Sequence, residues 1–428
     1  MSDLLWPGDE RAGALFSGPA VLAAMVRVEA AWLAALVSAG IAGPAALDDL
    51  SGLIDDDDVA AVAEGAESGG NPVIPLLSLL RDRLRERNPG AATWLHRGLT
   101  SQDVLDTALM LCVAEVLRRL RHELGTQAHA LATLARTYRA TPMVGRTLTQ
   151  HAVPITFGVK AATWLTGVLD AADDLDTLEP TAQLGGAAGT LAAPTVLAGR
   201  AGLTDPPRRA IELTEHTARS LGLRARTPWH TSRGPITRIG DGLVRCTDAF
   251  GHIAGDVLTL SRPEIGELAE PAAAGRGGSS TMPHKANPVL SVLVRRAALA
   301  APHTAAQLHL AAAESRDERP DGAWHLEWPA LRTLCRRTVT AAAQTSELVT
   351  GLRVHPDRML ATLEAAGPDV LAERRALDAL PGAASTSDAD GPGTDEPDSY
   401  LGATDLIIDA VLDRARTRTP TLTRTEEQ

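Results

Sequence analysis

Cysteine, aromatic side chains, long apolar runs and positive charge are all in short supply. The three cysteines, Cys112, Cys246 and Cys335, stand far apart in apolar surroundings. An odd, scattered set excludes a disulfide framework and predicts buried thiols in a reducing cytosol. Aromatic residues make up only 3%. No stretch approaches the roughly 18 consecutive apolar residues of a membrane helix. Met1 to Glu10 carries acids where a secretory signal would have an apolar core. Net charge is −12, which argues against general nucleic-acid binding. A chain this acidic that handles an anion must gather its positive groups locally. The expectation is a soluble cytoplasmic protein with neither membrane nor nucleic acid as partner.

What the chain does have is alanine, leucine and valine over 428 residues. That is enough for two or three domains and a large core, in a composition that favours helices packed through small and aliphatic side chains. Val21, Met25, Val28, Trp32 and Leu36 recur at three- and four-residue steps and predict a helix over 18–40, closed by Gly40. A longer stripe, from Val104, Ala108 and Cys112 through Val116, Leu120 and Leu124 to Ala128 and Leu131, predicts a helix over about 101–139. At 1.5 Å per residue it is roughly 55 Å long, a length found in bundles and coiled coils. Further helices are expected over 157–175, 236–266 and 289–310, up to Leu352, and over 405–416. Pro381 to Gly393 is low-complexity, and disorder is expected over 381–396.

Several stretches carry chemistry. Gly277 to Pro288 reads Gly-Gly-Ser-Ser-Thr-Met-Pro-His-Lys-Ala-Asn-Pro. Glycine and proline punctuate it, so it is a loop. It holds two hydroxyls (Ser279, Ser280), a cation (Lys285) and an amide (Asn287), as a mobile lid with a base and an anion clamp would. It lacks the Gly-Lys-Ser/Thr of a phosphate loop. His96-Arg97-Gly98-Leu99-Thr100-Ser101-Gln102-Asp103 precedes the long helix. Thr100, Ser101 and Asp103 serve as helix-capping residues, and a capped N-terminus is also a ready anion site. Gly145 to Pro154 contains Gln150 and His151; a lone histidine beside apolar residues is ordinarily structural. Gln183 to Thr190 is glycine-rich but lacks dinucleotide-fingerprint spacing and a preceding strand. In Pro228 to Arg233 the plain reading is a turn with a surface arginine.

The loop resembles the signature of the fumarase/aspartase superfamily, Gly-Ser-Ser-x-Met-Pro-x-Lys-x-Asn-Pro. The blocks at His96–Asp103 and Gly145–Pro154 resemble that superfamily's other two motifs in order and spacing. The resemblance implies an all-α, three-domain subunit whose long central helices assemble a homotetramer with active sites shared among subunits, and no metal or organic cofactor. The domains would be an N-terminal helical domain over 1–98, a central long-helix bundle over 99–352 with the signature loop at 275–288, and a small, shortened C-terminal helical domain over 353–428. It implies Ser279 as the base, Lys285 and His151 as further catalytic groups, and substrate contacts from Arg97, Thr100, Ser101, Gln150, Arg233, Ser280, Met282 and Asn287. Arg233 would clamp a carboxylate, a role its planar fork suits.

Members that expel an amine or water carry a proton-donating histidine and its glutamate partner where Leu148 and Val292 stand here. Their joint absence fits a reaction whose leaving group needs no proton. Leu-Thr-Gln-His-Ala-Val-Pro, Pro-Trp-His-Thr-Ser-Arg and Gly-Ala-Trp-His-Leu-Glu-Trp look like the 3-carboxy-cis,cis-muconate cycloisomerase branch. That branch usually has arginine at the position of Ala286, an aromatic at that of Arg97 and a longer C-terminal domain. The expected activity is α-proton abstraction from a di- or tricarboxylate with addition or elimination across a C=C, of cycloisomerase type. The alternative is a nitrosuccinate-type lyase that releases fumarate; adenylosuccinate lyase chemistry fits less well. A non-catalytic structural relative would not be expected to keep Ser279, Lys285 and Asn287.

Overall fold

The computed structural model describes residues 3–273, 275–278, 281–282, 285–380 and 396–422. Ser279, Ser280 and residues 381–395, most of the segment expected to be disordered, lie outside the described residues. In chain order the helices are α1 (Gly18–Ser38), α2 (Asp58–Gly69), α3 (Val73–Arg87), α4 (Pro89–Trp94), α5 (Ser101–Thr137), α6 (Phe157–Asp176), α7 (Ala192–Arg200), α8 (Pro206–Ser220), α9 (Gly234–Leu260), α10 (Val289–Ala313), α11 (Gly322–Thr350), α12 (Pro356–Ala365), α13 (Ala372–Asp378) and α14 (Thr404–Leu422). The strands β1 (Pro142–Thr147) and β2 (Gln150–Thr156) pair with each other, as do the two-residue strands β3 (Leu268–Ala269) and β4 (Arg353–Val354).

The chain divides into two compact units. The first comprises Met1–Arg119, Asp176–Val244 and Ala301–Val339; the second comprises Leu120–Leu175, Arg245–Ala300 and Thr340–Gln428.

In the first unit α1 starts where Ser17 Oγ accepts from Ala20 N at 3.2 Å and ends before Gly40, at φ +70°. Its stripe buries Met25, Val28, Trp32 and Leu36, and Trp32 and Leu36 pack with Ala198 of α7 and Leu213 of α8. By length and hydropathy α1 is apolar enough to cross a bilayer, contrary to the expectation that no segment is, but 56% of that window is buried within the protein. It also holds the buried Glu29, paired with His96 Nδ1 at 2.7 Å. Core burial, not lipid, accounts for its composition.

In the second unit β1 and β2 form an antiparallel hairpin, an element the all-helical expectation omitted. Its register shifts at Gly145, where a Cβ would sit 2.8 Å from Val153 O. Leu148 and Thr149 make the turn with φ of 48° and 71°. Two consecutive left-handed residues define a type I′ hairpin, which normally uses Asn-Gly; Leu-Thr gives no such signal. Val144 of the hairpin packs on Leu363, Val370 and Leu371.

All three cysteines are buried and reduced. Burial pushes the thiols of Cys112 and Cys246 up to about 12, so they stay protonated and inert.

Candidate active site

The first unit builds a polar cradle at the N-terminus of α5. The helix begins because Thr100 O accepts from Asp103 N at 3.0 Å while the Asp103 carboxylate accepts from Thr100 N at 3.0 Å, a reciprocal capping contact. The same carboxylate does more. It accepts from Gly185 N at 2.8 Å, from Gly186 N at 2.9 Å and from Gln183 Nε2 at 3.2 Å. Asp103 therefore pins the Gln183–Thr190 loop onto the helix start. It is fully buried, and burial pushes its carboxyl up to about 7 despite these donors.

Gln183 and His230 complete the floor. Gln183 Oε1 accepts from Trp229 N at 2.6 Å, and its Nε2 donates to His230 Nδ1 at 3.0 Å. His230 Nε2 then donates to Gly186 O at 2.9 Å, so this network assigns the neutral, Nε2-protonated tautomer. Gly185 has to be glycine, because a Cβ there would meet His230 Cε1 at 2.5 Å.

Burial holds the His230 imidazole below its ordinary value. A depressed folded-state pKa makes the unfolded chain the better proton acceptor, so stability rises with pH across the interval between the two values. His230 thus supplies stability that is complete above about pH 6.5, the unperturbed histidine value, and is lost as pH falls through the folded value. His230→Gln will flatten the fall in thermal midpoint between neutral and mildly acidic pH. An unchanged slope would remove His230 as its source.

Arg233 corrects the sequence-based expectation of a carboxylate clamp facing substrate. It is 2% exposed and already filled. Nη1 and Nη2 meet Asp106 at 2.7 and 3.2 Å, and Nε and Nη2 meet Glu327 at 3.0 and 2.6 Å. Its guanidinium lies 4.7 Å from the Trp229 ring centroid, and Trp324 Nε1 donates to Asp106 at 2.9 Å. This triad is a buried brace joining α5 and α11 to the residue that leads into α9.

An exposed cation at the cradle is Arg319, which the sequence by itself did not single out. Its Nη2 donates to Thr100 Oγ1 and lies 3.5 Å from Ala187 O. Thr100 and Ser101 are both half-buried. Arg97 is exposed and turns away, with Nε donating to Thr93 O at 2.8 Å.

The second unit carries the remaining expected residues. Gln150 and His151 are exposed at the start of β2, opposite Thr147 and Arg146. Arg146 fixes the hairpin with a two-pronged contact to the buried Glu267 at 2.7 and 3.0 Å. Leu148 at the tip is 96% exposed.

In the signature loop Asn287 is a staple, since both its backbone N and its Nδ2 donate to Gly277 O, at 2.8 and 2.9 Å. Gly277 has φ +72°, and a Cβ there would lie 2.5 Å from Asn287 O. The amide expected to donate to substrate is thus engaged in closing the loop's own neck. Glu270, missed from sequence, accepts from Leu290 N and from Ser291 N and Oγ at 3.0, 2.6 and 2.6 Å, which anchors the loop's exit into α10. Met282 and Lys285 are exposed.

A protein-family model described as Lyase matches residues 52–301. Nitrosuccinate lyase of Streptomyces davaonensis is 45% identical over 367 residues, 84% of this chain and 76% of that one. The 3-carboxy-cis,cis-muconate cycloisomerase of Bradyrhizobium diazoefficiens is 40% identical over 319 residues, 74% and 68% of the two chains. Among solved structures, the 3-carboxy-cis,cis-muconate lactonizing enzyme from Pseudomonas putida aligns with a TM-score of 0.84 at 30% identity, covering 95% of this chain and 97% of that one.

Proposed function

Because the chain belongs to the fumarase/aspartase superfamily of lyases, we propose that it takes a proton α to a carboxylate of a substituted succinate and expels a small anion, of which nitrite is the best fit. The observation that carries this reading is the Arg319–Thr100 contact at the N-terminus of α5. An exposed guanidinium and a hydroxyl meet there at the positive end of a helix spanning Ser101–Thr137. That combination suits a carboxylate through charge, directional hydrogen bonds and the helix dipole together.

In the reaction Ser279 removes the α-proton as the electron pair passes into the adjacent carboxylate. The resulting enediolate collapses to a C=C, and the C–N bond breaks with its electrons leaving on nitrite. Donors placed beforehand around the developing charge lower the barrier, and Lys285 provides one. Leu148 has no proton to give, and nitrite needs none to depart. The 45% identity to a nitrosuccinate lyase supports elimination over the cycloisomerase chemistry that the sequence motifs first suggested. The subunits assemble as a homotetramer and complete one another's sites.

The cycloisomerase reading keeps specific support in the 40% identity to a 3-carboxy-cis,cis-muconate cycloisomerase and the TM-score of 0.84 to a lactonizing enzyme. Incubation with nitrosuccinate and with 3-carboxymuconate separates them. Release of nitrite with fumarate supports the first reading; loss of muconate absorbance without nitrite replaces it with the second.

Arg319→Gln will lower kcat/KM by about 10- to 100-fold, the worth of roughly 1.5–3 kcal/mol for a hydrogen bond to a charged group, chiefly through KM. A KM within twofold of wild type would remove Arg319 from the substrate.

A further inference from the structure

A second cationic site lies wholly within the first unit. A cavity of about 260 Å³ opens between the segment 177–181, the segment 224–226 and the start of α9. Backbone pairing holds the two segments together: Arg224 N donates to Pro180 O at 3.1 Å, and Ala182 N donates to Arg224 O at 3.0 Å. Leu178, Pro235 and Ile239 give the cavity apolar walls, while Arg224, Arg226 and Arg238 bring three guanidinium groups to it. Glu179 is the one acid that lines it among the described residues, in a chain whose net charge is −12.

These charges do not cancel. Glu179 pairs with Arg224. Among the described residues the side chains of Arg226 and Arg238 have neither a hydrogen bond nor an ion pair. Two positive charges, on two different elements, are therefore left over at the lining. Thr181 adds an independent observation. It is 6% exposed, and its Oγ1 is buried with no hydrogen-bond partner among the described residues. A buried hydroxyl ordinarily has a partner, and leaving it unpaired is costly. Two guanidinium forks and a hydroxyl can all donate, which suits an anion rich in acceptor oxygens. A phosphate group carries a charge of about −1.5 to −2 near pH 7, which matches the two unpaired arginines, and guanidinium forks fit its geometry. The volume lies below the roughly 300–1,000 Å³ of drug-sized ligand sites, so the ligand is small.

We propose that this cavity binds a phosphate dianion, free or as the monoester of a small metabolite, with its oxygens against Arg226 and Arg238 and accepting from the Thr181 hydroxyl. Bound there, it clips the start of α9 to the segments 177–181 and 224–226. Those segments run on into Gln183 and Trp229, which meet in the floor of the cradle, so the ligand stiffens that floor from outside. The site uses none of the residues of the proposed reaction, and its test needs no turnover, so it stands or falls independently.

The probes are inorganic phosphate and glycerol 3-phosphate, titrated calorimetrically into the full-length protein, with acetate as the monoanion for comparison. At least one of the two phosphates is expected to bind at least tenfold more tightly than acetate, to raise the thermal midpoint, and to slow amide exchange over 181–184 and 224–230. The tighter of the two identifies the source, free or esterified, and either sustains the proposal. Arg226→Gln and Arg238→Gln will each weaken that binding at least tenfold; both side chains are exposed, so neither change threatens folding. Thr181→Val will weaken it at least threefold while leaving the phosphate-free thermal midpoint unchanged or higher, because the hydroxyl has no hydrogen bond to lose. Arg319→Gln will leave phosphate affinity within twofold, which separates this cavity from the cradle. Undetectable phosphate binding overturns the proposal. So does binding retained in both arginine variants, binding lost in Arg319→Gln, or acetate binding as tightly as phosphate, which would reduce the site to general attraction of anions.

Discussion

Arg233→Met will destabilise the protein by about 3–5 kcal/mol, the cost of stranding a buried charge by removing its partner. Here two carboxylates are stranded, Asp106 and Glu327, which share the one guanidinium at 2.6–3.2 Å. Both are buried, so solvent cannot take the arginine's place. Lysine will rescue little, since a single ammonium cannot serve two carboxylates in the geometry of a planar fork. Adding Glu327→Gln to Arg233→Met removes one stranded charge and will recover part of the loss, which separates electrostatics from lost packing against Trp229. Denaturant unfolding of the three variants measures this. A loss under about 1 kcal/mol, in the range of an exposed ion pair, would mean the triad is not the brace described above.

Ser279→Ala will lower kcat by about 10²–10⁴-fold, the usual contribution of a positioned general base, and leave the fold intact. The side chain is replaced within a loop whose neck is held by Gly277 and Asn287, so its loss leaves that closure untouched. The comparison that matters is with Asn287→Ala, which opens the neck: it will reduce activity and also raise the loop's protease sensitivity, whereas Ser279→Ala will change activity alone. Turnover of Ser279→Ala within tenfold of wild type would take the base role away from Ser279.

Helices were legible from sequence because burial imposes a period on a helix wherever it packs. The expected 101–139 helix is found at Ser101–Thr137, and of its apolar stripe Val104, Ala108, Val116 and Leu120 are fully buried. The hairpin was not legible. Its turn rests on Leu148 and Thr149 at positive φ, a conformation their side chains disfavour, held by pairing on either side, by Arg146 on Glu267 and by Val144 packed on Leu363, Val370 and Leu371. The site was legible only where its chemistry is local. Asp103 read correctly as a helix cap, but three of its four donors come from residues 80 to 83 positions away. Arg233 read as a surface arginine in a turn or, by resemblance, as a substrate clamp, because Asp106 and Glu327 lie 127 and 94 positions distant. Arg319 was passed over because its meaning is its contact with Thr100, 219 positions away.

Order along the chain was enough to establish the helical class, the long helix and the lyase family, since periodicity and contiguous motifs are short-range properties of a polymer. Which cations are consumed by the protein's own acids, and which are left facing solvent, was decided by folding alone. A guanidinium binds whatever carboxylate the packed backbone brings within about 3 Å, and nothing in its neighbours along the chain records that distance.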